Sequence, residues 1–207
     1  MPQLSSADIV WSYAGIRPLF DDRTANASAV TRDYVLDLDA GENGAPLLSI
    51  FGGKITTFRR LAEQAMDRLA PFFPGCGRAW TAGAILPGGD LPDGDLRAFQ
   101  SALTRSLSRL CPSLLRRLST AYGTRIANFI PPDQCLGRDL GDGIHEAEIA
   151  YLQRMEWAQT VQDVLWRRSK LGLVASPQTV ERIAQYMQQN RPSRSWEFAS
   201  CKQLQPR

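Results

Sequence analysis

The first third of the chain shows the two-residue period of strands. Residues 31–38 alternate between polar and apolar side chains and place Leu36 and Leu38 on one face, which predicts a strand. The segment 39–44 is rich in glycine and acidic residues, as turns are, and the apolar run 47–51 follows it. We therefore predict a hairpin whose second strand is buried on both faces.

The period changes to that of a helix after Gly52-Gly53. From Thr56 onward apolar residues return every three or four positions as far as Leu69, and Pro71 follows as a stop. The segment therefore predicts a strand, a two-glycine turn and a helix that begins close to the glycines.

Residues 95–190 have helical periods throughout. The predicted helices are 95–110, 113–122, 143–157, 160–170 and 177–189. Proline and hydroxyl residues mark several of their first turns, at Pro112-Ser113, Thr160 and Ser176-Pro177. This pattern predicts a small bundle with an apolar core. The predicted core residues are Leu103, Leu107, Leu110, Leu114, Leu118, Ile149, Leu152, Trp157, Val161, Leu165, Ile183 and Met187.

Proline and glycine crowd the stretch between the strands and the bundle, so we place a boundary there. The predicted division is 1–75 for the strand-and-helix part, 76–94 for a linker, 95–190 for the helical domain and 191–207 for a flexible tail. The fold class is α+β, mainly α-helical.

Composition excludes several classes of protein. The net charge of +3 is too small to indicate nucleic-acid binding, and no apolar run approaches the ~18 residues of a spanning helix. Four widely spaced cysteines without a C-x-x-C pair, together with one histidine, His145, predict reduced thiols and no metal site. Contact with a membrane surface stays open, since it needs only an apolar patch with basic neighbours.

The two-glycine turn has a chemical use. A helix N-terminus offers unpaired N–H groups and partial positive charge, glycines let a ligand approach the backbone, and Lys54 adds a full charge. The turn is not a P-loop, because Leu48 and Ile55 stand where that motif needs glycine and a hydroxyl residue. A plain glycine turn with a solvated lysine is the alternative.

Three stretches carry a resemblance to one family. The motif F-G-G-K-I-T-T-F-R at 51–59 resembles the flavin-contacting segment near the C-terminus of FAD-dependent glycerol-3-phosphate dehydrogenases. Residues 13–19 with 31–34 resemble the substrate-side segment of that family, and residues 146–158 with 165–168 resemble its helical domain. The order and spacing of these three stretches agree with those of the family over roughly residues 8–190.

The resemblance implies specific roles. Lys54 would act in catalysis between the flavin edge and the substrate and would contact the substrate. Arg17 and Arg32 would bind the substrate phosphate. The implied FAD contacts are Gly52, Gly53, Lys54, Ile55 and Thr56. From the residues alone, the two arginines could instead pair with neighbouring aspartates on the surface.

The implied reaction is oxidation of sn-glycerol 3-phosphate to dihydroxyacetone phosphate by hydride transfer to FAD, with quinone or oxygen as the final acceptor. The implied location is cytoplasmic, peripheral on the inner face of the membrane, and a homodimer is allowed. The family's G-x-G-x-x-G fingerprint does not occur here, so we expect the C-terminal part of a longer flavoprotein, inactive by itself. The alternative is a non-catalytic helical domain for dimerisation or membrane docking.

Overall fold

The computed structural model describes residues 5–16, 20, 33–41 and 44–191. Its contacts divide the chain into two compact units, residues 1–84 and 85–207, and this division falls inside the stretch rich in proline and glycine. The fold is α+β and mainly helical, as predicted. None of the described helices combines the length and apolar character that crossing a bilayer requires.

The first unit begins with a two-stranded antiparallel hairpin. Strands β1 (Val35–Asp39) and β2 (Leu47–Phe51) pair with Val35 opposite Phe51, which confirms the predicted hairpin. The prediction that β2 is buried on both faces is wrong, because Leu47 and Ile50 are 63% and 47% exposed. Among the described residues the sheet has two strands, and none of them adds a third strand that would shield its apolar side chains.

One helix follows the hairpin. A 3-10 turn, Ile55–Thr57, leads into α1 (Phe58–Leu69), and a second 3-10 turn containing Pro71 ends it, close to the predicted limits. The helix carries an Arg59–Glu63 ion pair of 2.8 Å. Within the described part of this unit, Ala65 is the one fully buried apolar residue.

The second unit is the helical domain. Its helices are α2 (Leu96–Ser106), α3 (Pro112–Tyr122), α4 (Glu146–Met155) and α5 (Pro177–Gln189), with a π-helix at Asp163–Arg168. A short antiparallel hairpin, β3 (Asp139–Gly141) and β4 (Ile144–His145), precedes α4.

The helix starts follow from capping chemistry. The Asp95 carboxylate accepts hydrogen bonds from the N–H groups of Arg97 and Ala98, and the Ser176 hydroxyl accepts one from Thr179. Proline is the first residue of both α3 and α5, where its missing N–H costs nothing.

Three predicted helices differ from the structure, two in a boundary and one in the type of helix. Helix 95–110 ends at Ser106, because Leu107 leaves the helical conformation. Helix 143–157 begins at Glu146, because the two residues before it form β4. Segment 160–170 contains a π-helix and not a regular α-helix.

One cluster of apolar side chains forms the core of the helical domain. All predicted core residues are buried in it or packed against it, except Trp157. Trp157 is 65% exposed and has a φ of +56°, because α4 ends at Met155 and the chain turns outward. His145, the one histidine of the sequence, takes the N-cap position of α4 without a side-chain capping bond.

Candidate functional site

The two glycines after β2 turn the chain into α1. Gly52 and Gly53 have φ values of +74° and +103°, a region that side chains disfavour. A Cβ atom on Gly53 would lie 3.3 Å from Leu61 Cδ1 and 3.6 Å from Tyr34 Cβ. The glycine therefore permits close packing of the turn on α1 and on Tyr34, the residue before β1. The approach of a ligand to this glycine stays a prediction.

Lys54 and Ile55 form the outer side of this turn. The carbonyl of Lys54 accepts bonds from the N–H and the hydroxyl of Thr57, both at 3.0 Å. The backbone N–H groups of Gly53, Lys54 and Ile55 have no hydrogen-bond acceptor among the residues that the structure describes. Lys54 is exposed and Ile55 is 86% exposed, so this surface can receive an anionic group.

The predicted site residues fall into two groups. The five predicted flavin contacts, residues 52–56, lie together in this one turn. Arg17 and Arg32, the predicted phosphate ligands, lie outside the described residues, so their roles stay predictions. Cys76, Cys111 and Cys135 are exposed and free, and no cluster of three or more metal-ligand side chains occurs in the described ranges.

Sequence reasoning missed a buried polar network in the helical domain. Glu148 of α4 is 2% exposed and accepts two hydrogen bonds from Arg117 and one from the Tyr122 hydroxyl, each at 2.8 Å. Arg117 also donates to the carbonyl of Gly143 at 2.8 Å. Burial, and next the Glu148 carboxylate, raise the pKa of Tyr122, so its hydroxyl stays protonated as a donor.

The helical domain matches a known protein family. A model described as the C-terminal domain of alpha-glycerophosphate oxidase matches residues 79–197, more than half of the chain. The chain belongs to this family. The match covers the helical domain, and the relatives described next extend it over the hairpin and α1.

Three relatives show the extent of the similarity. The chain is 47% identical over 195 residues to a glycerol-3-phosphate dehydrogenase of Pseudomonas aeruginosa, which covers 93% of the chain and 38% of that protein. It is 42% identical over 188 residues to the aerobic glycerol-3-phosphate dehydrogenase of Escherichia coli, covering 89% and 37%. A D-erythritol 1-phosphate dehydrogenase of Brucella abortus is 46% identical over 171 residues, covering 81% and 34%. The chain thus spans less than two fifths of the length of these relatives.

Proposed function

We propose that the chain forms the C-terminal part of an FAD-dependent dehydrogenase that oxidises glycerol 3-phosphate to dihydroxyacetone phosphate. The observation that carries this proposal is the turn 52–56 in a chain of this family. The backbone N–H groups of residues 53–55 have no acceptor among the described residues, and Lys54 is exposed. Residues 1–84 would contribute the turn, Lys54 and the two arginines to the flavin and substrate sites. The helical domain would follow them in the same enzyme. Electrons would pass to a quinone at the inner face of the cytoplasmic membrane, and the enzyme could act as a homodimer.

The residues of the turn fit one edge of a flavin. When bound, FAD supplies the acceptor for the hydride that leaves C2 of the substrate. The N–H groups of Gly53 and Ile55 and the ammonium of Lys54 would stabilise negative charge that develops beside them. Such donors are fixed before the reaction, so they favour the charged state without reorganisation. Arg17 and Arg32 would bind the phosphate, because a guanidinium can pair with two phosphate oxygens at once.

The substrate class is the phosphate monoester of a small polyol. The names of the relatives give glycerol 3-phosphate and D-erythritol 1-phosphate, which both fit this class. Glycerol 3-phosphate is favoured because the 47% identical relative and the 42% identical one both carry its name.

A chimera tests the proposal. The chain is joined to the part of the Pseudomonas aeruginosa relative that precedes the matched segment, and bound flavin and turnover of both phosphates are measured. We expect Lys54→Met to lower kcat by about a hundredfold with flavin content preserved, since loss of one fixed charge-stabilising donor costs about 10²–10³ in rate. The control Lys202→Met removes the same charge from segment 191–207 and should leave kcat unchanged.

Two outcomes would contradict the proposal. A chimera that binds flavin but oxidises neither phosphate would favour the non-catalytic alternative. Equal kcat values for Lys54→Met and Lys202→Met would remove Lys54 from the mechanism.

A further inference from the structure

The helical domain contains a cavity of about 710 Å³ between α3 and the segment that follows the π-helix. Its volume lies within the range of small-molecule sites. The lining residues are Ser113, Arg116, Arg117, Thr120, Ala121, Tyr122, Glu148, Arg167, Arg168, Ser169, Lys170, Leu171 and Val174.

The charge of this cavity is strongly positive. Five cationic side chains line it, against the single carboxylate of Glu148. Glu148 and Asp163 already neutralise two of the arginines, Arg117 and Arg167, through ion pairs of 2.8 and 2.9 Å. These two arginines are therefore poor anchors for a further anion.

Arg116 and Arg168 keep their charge available. Arg116 is exposed, and its guanidinium makes no hydrogen bond or ion pair with any residue in the described ranges. Within the described ranges, Arg168 donates to the backbone carbonyls of Glu156 and Trp157, which carry no net charge to cancel its own. Two guanidinium groups on one cavity provide the planar donors that phosphate and carboxylate groups prefer.

The local backbone brings the basic residues to the same wall. Arg167 and Arg168 end the π-helix Asp163–Arg168, and both line the cavity although they are consecutive. The Ser169 hydroxyl bonds to the Val164 carbonyl and closes this segment. Irregular π turns of this kind occur frequently at functional sites.

Apolar side chains complete the cavity. Ala121, Leu171 and Val174 line it, and Val174 is 62% exposed. A small inorganic anion would leave these apolar surfaces in contact with water. A neutral apolar molecule would bury charged groups without a partner, which is costly.

We propose that this cavity binds an anionic amphiphile, with its phosphate or carboxylate head on Arg116 and Arg168 and its apolar tail against Leu171 and Val174. The head could belong to a free single-chain molecule or to a lipid in a bilayer. This proposal does not depend on the proposed reaction.

Calorimetric titration of the 207-residue chain tests this site. The probes are decyl phosphate below its micelle concentration, inorganic phosphate and decanol. We expect saturable binding of one decyl phosphate and much weaker binding of the other two. Arg116→Glu should weaken binding tenfold or more, since a charge-assisted hydrogen bond contributes at least about one factor of ten. Ala121→Trp should weaken it as well, by filling the cavity.

The control is Arg109→Glu, the same change at an exposed arginine outside the cavity, and it should bind like the unmodified chain. Circular dichroism checks each fold. If Ala121→Trp unfolds the domain, Arg116→Glu tests the site by itself, because the Arg116 guanidinium bonds to no residue in the part of the chain that the structure describes. Absence of decyl phosphate binding, equal binding of inorganic phosphate or decanol, or equal affinities of Arg116→Glu and Arg109→Glu would overturn the proposal.

Co-sedimentation with vesicles distinguishes the two sources of the head group. Binding to phosphatidylglycerol vesicles but not to phosphatidylcholine vesicles, lost in Arg116→Glu, would support a bilayer lipid. Binding of decyl phosphate without binding to either vesicle would support a free amphiphile.

Discussion

Removal of the Glu148 carboxylate should destabilise the helical domain strongly. The substitution Glu148→Ala leaves the Tyr122 hydroxyl buried without its acceptor and Arg117 without its counter-ion. Breaking a buried ion pair from one side costs about 3–5 kcal/mol. The Arg117 side chain is 29% exposed, so water can partly replace its partner, and we expect a loss near the lower end, about 3 kcal/mol.

Urea unfolding followed by far-ultraviolet circular dichroism measures this loss. Glu181→Ala, an exposed glutamate of α5, serves as the control and should change the free energy of unfolding by no more than about 0.5 kcal/mol. The double variant Arg117→Met with Glu148→Met should be less destabilised than the sum of its single variants, because no unpaired charge stays buried. A loss below about 1 kcal/mol for Glu148→Ala would refute this reasoning.

Two further changes concern the π-helix and the turn behind it. Desolvation opposes ionisation of Asp163, but hydrogen bonds from Gln159, Thr160 and Arg167 together lower its pKa to about 2. The stability that this carboxylate adds is therefore complete above its unfolded pKa of 3.8 and is lost as the pH falls towards 2. The difference in free energy of unfolding between the unmodified chain and Asp163→Asn should shrink over that window. A difference that stays constant would contradict the assignment. Gly172→Ala should cost about 1–3 kcal/mol in thermal unfolding, because its Cβ would overlap the Trp166 ring, and a neutral result would mean that the ring can move.

The sequence predicted the helix ends that are set by neighbouring residues, such as capping residues and prolines. Helix α5 begins where Ser176-Pro177 predicts, and α1 ends before Pro71. The hairpin β3–β4 was missed because its five strand residues lie around Gly141 and Gly143 in a segment with the composition of a loop.

Long-range pairs left no such signal. Glu148 meets Arg117 across 31 positions, so no spacing rule connects them. Two pairs of consecutive arginines that line the cavity, Arg116-Arg117 and Arg167-Arg168, are visible in the sequence. The charge of the helical region is nearly balanced, so its composition does not indicate that these pairs lie on one cavity. Composition averages over a surface, whereas a binding site depends on which charges share one wall.

The open hairpin of the first unit should make the two units differ in their resistance to proteases. A two-stranded ribbon is marginal in water, so we expect β1 and β2 to separate more often than the helical domain opens around its core. In molecules where nothing covers Leu47 and Ile50, digestion would begin in the first unit and leave residues 85–191 intact. The segment proposed to hold the cofactor would then also mark incompletely assembled molecules for degradation.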